Sequence, residues 1–152
     1  MTDQLLETVL LPVAGPEDAE ATCAAAVDRI AAAGGRVVAV HVVEKAGGAP
    51  DKVSVEQREE YAEEAFEVVE RRCADAGVPV ETRIAYGTDV AETIFEVADD
   101  VDATAIAFTP RGGSRWVRLL TGDVALSLAT ETDRPVVVLP DPGDEETDEG
   151  DA

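Results

Sequence analysis

Residues 8–43, TVLLPVAGPEDAEATCAAAVDRIAAAGGRVVAVHVV, decide the fold class. Thr8 to Val13 (TVLLPV) is a short apolar run that reads as a buried strand. Gly15-Pro16-Glu17-Asp18 then starts a helix, with proline at its first position and acids in its first turn. The helix runs to about Ala33, and Gly34-Gly35 ends it. Arg36 to Val43 (RVVAVHVV) is a second strand. Strand, helix, strand in this order is the unit of a parallel sheet covered on both faces.

The same alternation continues outward. Glu44 to Lys52, with Gly47-Gly48-Ala49-Pro50, is the longest loop inside the domain. From about Ser54 to Ala76, the residues Ala62, Ala65, Phe66, Val69 and Cys73 recur at helical spacing, which predicts a long amphipathic helix with an acidic outer face closed by Gly77. Val80 to Tyr86 alternates and reads as a strand with one more exposed face, near a sheet edge. Asp89 with Glu92 three residues on has the spacing of a capping box, opening a helix to about Asp100. Ala103 to Phe108 is a buried strand, a helix begins near Asp123 and ends near Thr130, and Pro135 to Leu139 is the last strand. Residues 1–140 form one domain. Pro140 to Ala152 carries seven acids and no base, so residues 141–152 are expected to be a disordered acidic tail whose removal leaves the fold intact.

Charge narrows the function. Twelve Lys and Arg stand against 33 Asp and Glu, a net charge of -21 that repels phosphate backbones and anionic lipid. Nucleic-acid and membrane partners are therefore not expected. Lys45 and Lys52 are the only lysines, and carboxylates fall on nearly every predicted exposed face. This composition looks like that of proteins from extreme halophiles, in which molar salt screens carboxylate repulsion; loosening is expected when salt is removed. Cys23 and Cys73 fall inside predicted helices and read as small buried hydrophobes. The N-terminus has no positive stretch ahead of the first strand, and no apolar run approaches membrane-spanning length, so a cytoplasmic location is expected.

The landmarks VLLPVAG (9–15) at the first strand, HVVE (41–44), YGTDVAETIFEVA (86–98) and LLTGDVALSLATETDRPVVVLP (119–140) resemble the universal stress protein family over roughly residues 7 to 140. The resemblance implies an open five-stranded parallel sheet of order 3-2-1-4-5 with helices on both faces, like the adenine-nucleotide α-hydrolases. It implies a ligand cleft at the carboxyl ends of the first and fourth strands, with Val13, Ala14 and Val42 among its positions. A homodimer in which strand Pro135–Leu139 pairs with its copy is also implied. That fits an apolar edge that needs cover, with proline tolerated at the first position of the strand.

Nucleotide-binding members of this family carry G-x2-G-x9-G-[S/T] after the fourth strand, where backbone N–H groups and a helix N-terminus cradle phosphates. Gly112 and Gly122 match the second and third glycines, while Thr109 replaces the first and Asp123 the final Ser/Thr. Thr109 adds a side chain where backbone would approach a phosphate, and Pro110 offers no N–H. Asp123 puts a like charge where a hydroxyl should donate, costing about 1 kcal/mol in solvated surroundings and several in a drier cleft. It also reads as an ordinary N-cap, compatible with the loss of nucleotide binding. Ala14 stands where relatives place an acid near the adenine and ribose; Gly15 reads as a turn into the helix. Arg111, Arg115 and Arg118 surround Gly112 and Trp116 without an acid among them, and serve either a phosphate or surface carboxylates and a partner subunit. His41, at the carboxyl end of the second strand and so expected at the cleft rim, has no partner at metal-ligand spacing, and Ser54, Ser114 and Ser127 lack an elbow motif.

The expected function is a non-enzymatic, homodimeric stress-response protein acting through protein partners, with no cofactor held strongly. The alternative is an ATP/Mg-binding switch or slow ATPase using Gly112, Gly122, Arg111 and Arg115.

Overall fold

The structure is a computed structural model describing residues 5–44, 52–109 and 122–140. Strand β1 (Thr8–Pro12) leads into helix α1 (Pro16–Ala33), β2 (Arg36–Glu44), α2 (Lys52–Ala76) and β3 (Val80–Gly87). Helix α3 (Val90–Asp100), β4 (Ala105–Phe108), α4 (Gly122–Thr130) and β5 (Val136–Val138) complete the chain. The five strands form one parallel sheet in the order β3-β2-β1-β4-β5, the topology the family resemblance implied.

Strands β1 and β4 and the centre of β2 are apolar on both sides because they lie between two helical layers. Val9, Leu11 and Val13 of β1 and the segment after it pack with Val37 and Ala39 of β2 against α1 and α2. Leu10, Val38, Val40, Val42, Ile106 and Phe108 pack on the other side against α3 and α4. The expected stripe on α2, Ala62, Ala65, Phe66, Val69 and Cys73, is buried throughout. Helices α1 and α2 also meet through Glu20, whose carboxylate takes the Arg72 guanidinium (Nε to Oε1 2.8 Å). Exposed pairs of this kind contribute little.

Local signals set the ends. Helix α1 stops at Gly34 in the left-handed region (φ 74), with Gly34 and Gly35 N–H groups donating to Ala31 and Ile30 carbonyls. Helix α3 opens on Asp89, whose Oδ1 accepts from Glu92 N–H at 3.0 Å, as its spacing predicted. Strand β3 is at the sheet edge and partly exposed along its length. The last strand is shorter than its apolar run, but Pro135 O accepts from Ile106 N–H (3.0 Å) and Leu139 N–H donates to Phe108 O (2.9 Å), so pairing extends past both ends.

Two features of the fold correct the sequence reading. Helix α4 already includes Gly122, so Asp123 is the second helical residue and not the N-cap. An acid in a first turn is still well placed by the helix macrodipole, which is why the pattern looked like a cap. His41 is not at a rim: it is 8% exposed, beneath the α1/α2 layer. The proposed tail and the Glu44–Lys52 loop apart from its ends lie outside the described residues.

Candidate functional site

In this sheet the strand order reverses between β1 and β4, and the carboxyl ends of those strands define the crevice. On the β1 side its floor is Val13-Ala14-Gly15. All three residues are buried, Val13 fully and Ala14 to 7% exposure. Continuing the register Leu10↔Ile106 brings Thr109, just after β4, level with Val13. Thr109 is fully buried, and its hydroxyl has no hydrogen-bond partner among the described residues. Val13 faces the α1/α2 core, whereas Ala14 and Val42 face the α3/α4 core. Gly122 and Asp123 open α4. Arg111, Gly112 and Arg115 lie outside the described residues, as do Pro110, Trp116 and Arg118.

Three side chains, from three elements, hold the floor in place. Val13 N–H pairs with Val40 O (2.9 Å), and Val13 O receives the His41 ring at Nδ1 (2.9 Å). A carbonyl only accepts, so Nδ1 carries the proton. Burial holds His41 below the ordinary imidazole range, against the raising effect of that bond, with Arg58 lowering it further. Ala14 N–H donates to Asp18 Oδ2 (2.9 Å); Asp18 is the third residue of α1 and is fully buried. Gly15 meets the ring of Tyr61 from α2: a Cβ built on Gly15 would lie 2.4–2.6 Å from Tyr61 Cε2, Cζ and Oη. The Gly15 backbone is extended (φ -170), which any residue adopts. Glycine here leaves room for the aromatic ring, and the turn conformation does not demand it.

Asp18 and Tyr61 escaped the sequence reading as site residues. Asp18 had a signal, since the third helical position is where an acid reaches back past the N-cap. Tyr61 had none, because its partner Gly15 is far away in sequence.

The chemistry available is limited. Among the described residues no group of His, Cys, Asp and Glu is arranged to hold a metal ion. Cys23 and Cys73 are free and buried; burial, foremost, pushes their thiols up to about 12 and about 11, which leaves little thiolate. Among the described residues no helix is long and apolar enough to cross a membrane.

His41 gives a pH prediction. Its folded pKa is below the unfolded value, so the unfolded chain takes up the proton first as pH falls. Its effect on stability is constant above the unfolded pKa of about 6.5 and becomes unfavourable as pH drops from there towards the folded value. Urea unfolding of the parent and His41→Gln at a series of pH values should show the parent's relative advantage shrinking across that window. A pH-independent difference would show that His41 does not titrate as a buried neutral ring.

A five-stranded parallel sheet with two helices on each side and a crevice at its switch point defines a doubly wound α/β protein of the adenine-nucleotide α-hydrolase type. The universal stress protein family model matches residues 6–140, and the chain belongs to that family. The fold is shared with a universal stress protein family member from Burkholderia pseudomallei (TM-score 0.72, 23% identity, covering 91% of this chain and 98% of that one). It is also shared with a universal stress protein from Archaeoglobus fulgidus (TM-score 0.68, 21% identity, 88% and 98%). A third likeness is the Archaeoglobus fulgidus universal stress protein in complex with dAMP (TM-score 0.64, 21% identity, 91% and 99%). A comparison with curated protein sequences finds no significant match.

Proposed function

We propose that this universal stress protein is a homodimeric, non-catalytic stress-response module with little affinity for ATP, working in the cytoplasm of a salt-adapted cell through protein partners. The observation that carries the proposal is the altered phosphate loop: Thr109 and Asp123 stand where the nucleotide pattern has glycine and a hydroxyl residue. Thr109 fills buried space beside Val13, where a phosphate would need open backbone. The one histidine is tied to Val13 O and buried, a poor position for a general base.

The two sheet edges support the dimer. The β3 edge carries Glu81 and Arg83, joined to each other (2.8 Å), and Arg36 of β2 lies near Glu81, so charge blunts it. The β5 edge is Val136-Val137-Val138, with Val138 54% exposed and Leu126 of α4 63% exposed. A second copy paired at β5 would cover those apolar groups. The acidic surface supports the halophilic assignment, and residues 1–140 are proposed as the working domain, with 141–152 as a solvating tail.

Calorimetric titration of ATP with magnesium in molar KCl tests this. The parent is expected to bind weakly, and Thr109→Gly/Asp123→Ser to gain at least about tenfold in affinity, from the removal of a like charge. Tight binding by the parent would overturn the proposal in favour of a nucleotide-responsive switch. The switch is favoured by one observation, the dAMP complex of a relative with the same fold.

A further inference from the structure

We infer that Tyr61 is a built-in cover of the crevice, an aromatic ring held on the β1 side of its floor that must swing away before any ligand reaches that side. This takes the crevice to be the ligand site, as proposed above, and adds a second obstacle independent of the phosphate loop. In an open α/β sheet the backbone at the end of β1 is the surface on which a ligand is received. Here that backbone is already engaged. The Ala14 N–H is spent on Asp18, the Val13 carbonyl accepts from His41, and the Tyr61 ring lies where a Cβ on Gly15 would stand.

The ring is placed to move. Tyr61 is 40% exposed, so one side of it meets solvent while the other lies on Gly15. Its phenol is held above the ordinary range by burial, with Glu17, Glu64 and Asp18 adding to the rise. Neighbouring Ala62 is fully buried, so α2 is fixed at this point and displacement is confined to side-chain rotation. Glycine at 15 has no conformational reason, as its extended backbone suits any residue; close approach of Tyr61 is what it permits. Where the covered state holds about nine-tenths of the population or more, apparent ligand affinity falls by about tenfold or more.

The dAMP complex of a relative supplies the ligand chemistry to test, and adenosine is the suitable probe because it carries no phosphate and is indifferent to Thr109 and Asp123. Adenosine is titrated in molar KCl into the full chain, Tyr61→Ala, Tyr61→Phe and Thr109→Gly/Asp123→Ser. Tyr61→Ala is expected to bind at least about tenfold more tightly than the parent, while Tyr61→Phe, which keeps the ring, stays at the parent level. An unchanged Tyr61→Ala, or an equal gain in Tyr61→Phe, overturns the cover. Amide hydrogen exchange at Gly15 gives a readout without ligand: faster exchange in Tyr61→Ala than in Tyr61→Phe is expected, and equal rates count against it. Failure here leaves the altered phosphate loop standing, because that rests on ATP binding by the parent and the loop variant.

Discussion

Arg134→Ala is expected to cost about 3 kcal/mol of stability, read as a lower urea midpoint with an unchanged slope. The Arg134 side chain is 16% exposed and sits just before β5. Its Nη1 donates to Ala98 O (3.0 Å) and Ala103 O (2.8 Å), and its Nη2 pairs with Asp99. Ala98 is near the end of α3, where a cation meets the negative pole of the helix, and Ala103 leads into β4. One guanidinium thus ties the end of a helix to the entry of the neighbouring strand. The Asp99 carboxylate is 67% exposed and contributes little by itself. The loss should therefore be similar in dilute and molar KCl. A loss that disappears in molar KCl would show that the ion pair, and not the two carbonyl bonds, carries the effect. Arg134→Lys should recover less than half, since an ammonium lacks the planar fork.

Gly35→Ala is expected to cost about 3 kcal/mol, more than Gly34→Ala, although only Gly34 has a positive φ. A Cβ at Gly34 would have nothing within 4 Å, so alanine there bears only the left-handed penalty of about 1–2 kcal/mol. A Cβ at Gly35 would stand 1.8 Å from Leu6 O and 3.1 Å from Glu7 O, all backbone. That backbone cannot retreat freely, because Arg36 N–H donates to Glu7 O (2.9 Å) and Thr8 is paired with Arg36. Unfolding of the two variants side by side decides between space and conformation. Equal losses, or a larger one for Gly34→Ala, would mean that the strand entry yields.

These two glycines also show where sequence reading stops. Gly34-Gly35 marks a helix end in any reading, but which member turns the chain and which lies against β1 depends on a segment nearly thirty residues away. The elements were legible because their signals are local, namely the apolar runs of β1 and β4, the stripe on α2 and the Asp89 cap, whereas the sheet order came only with the family resemblance. The buried state of His41 was not legible, since a strand-end residue gives no sign of the layer above it. Of the residues read as cleft positions, Val13, Ala14 and Thr109 follow the carboxyl ends of β1 and β4, and Val42 lies near the end of β2. Their clamping by Asp18, His41 and Tyr61 arises only when α1, β2 and α2 are brought to the same end of the sheet. A glycine at 15 looks like punctuation until an aromatic ring is seen to lie against it.

The unequal edges of the sheet have a consequence for how far the protein can polymerise. A sheet apolar at both margins has two adhesive ends and can add copies indefinitely into a ribbon. This sheet has its Val138 margin open and its Glu81–Arg83 margin closed by charge. If copies pair through β5 as proposed, the valence for strand-to-strand growth is one: association along the sheet would end after a single partner, and crowding at high concentration would add pairs without adding length.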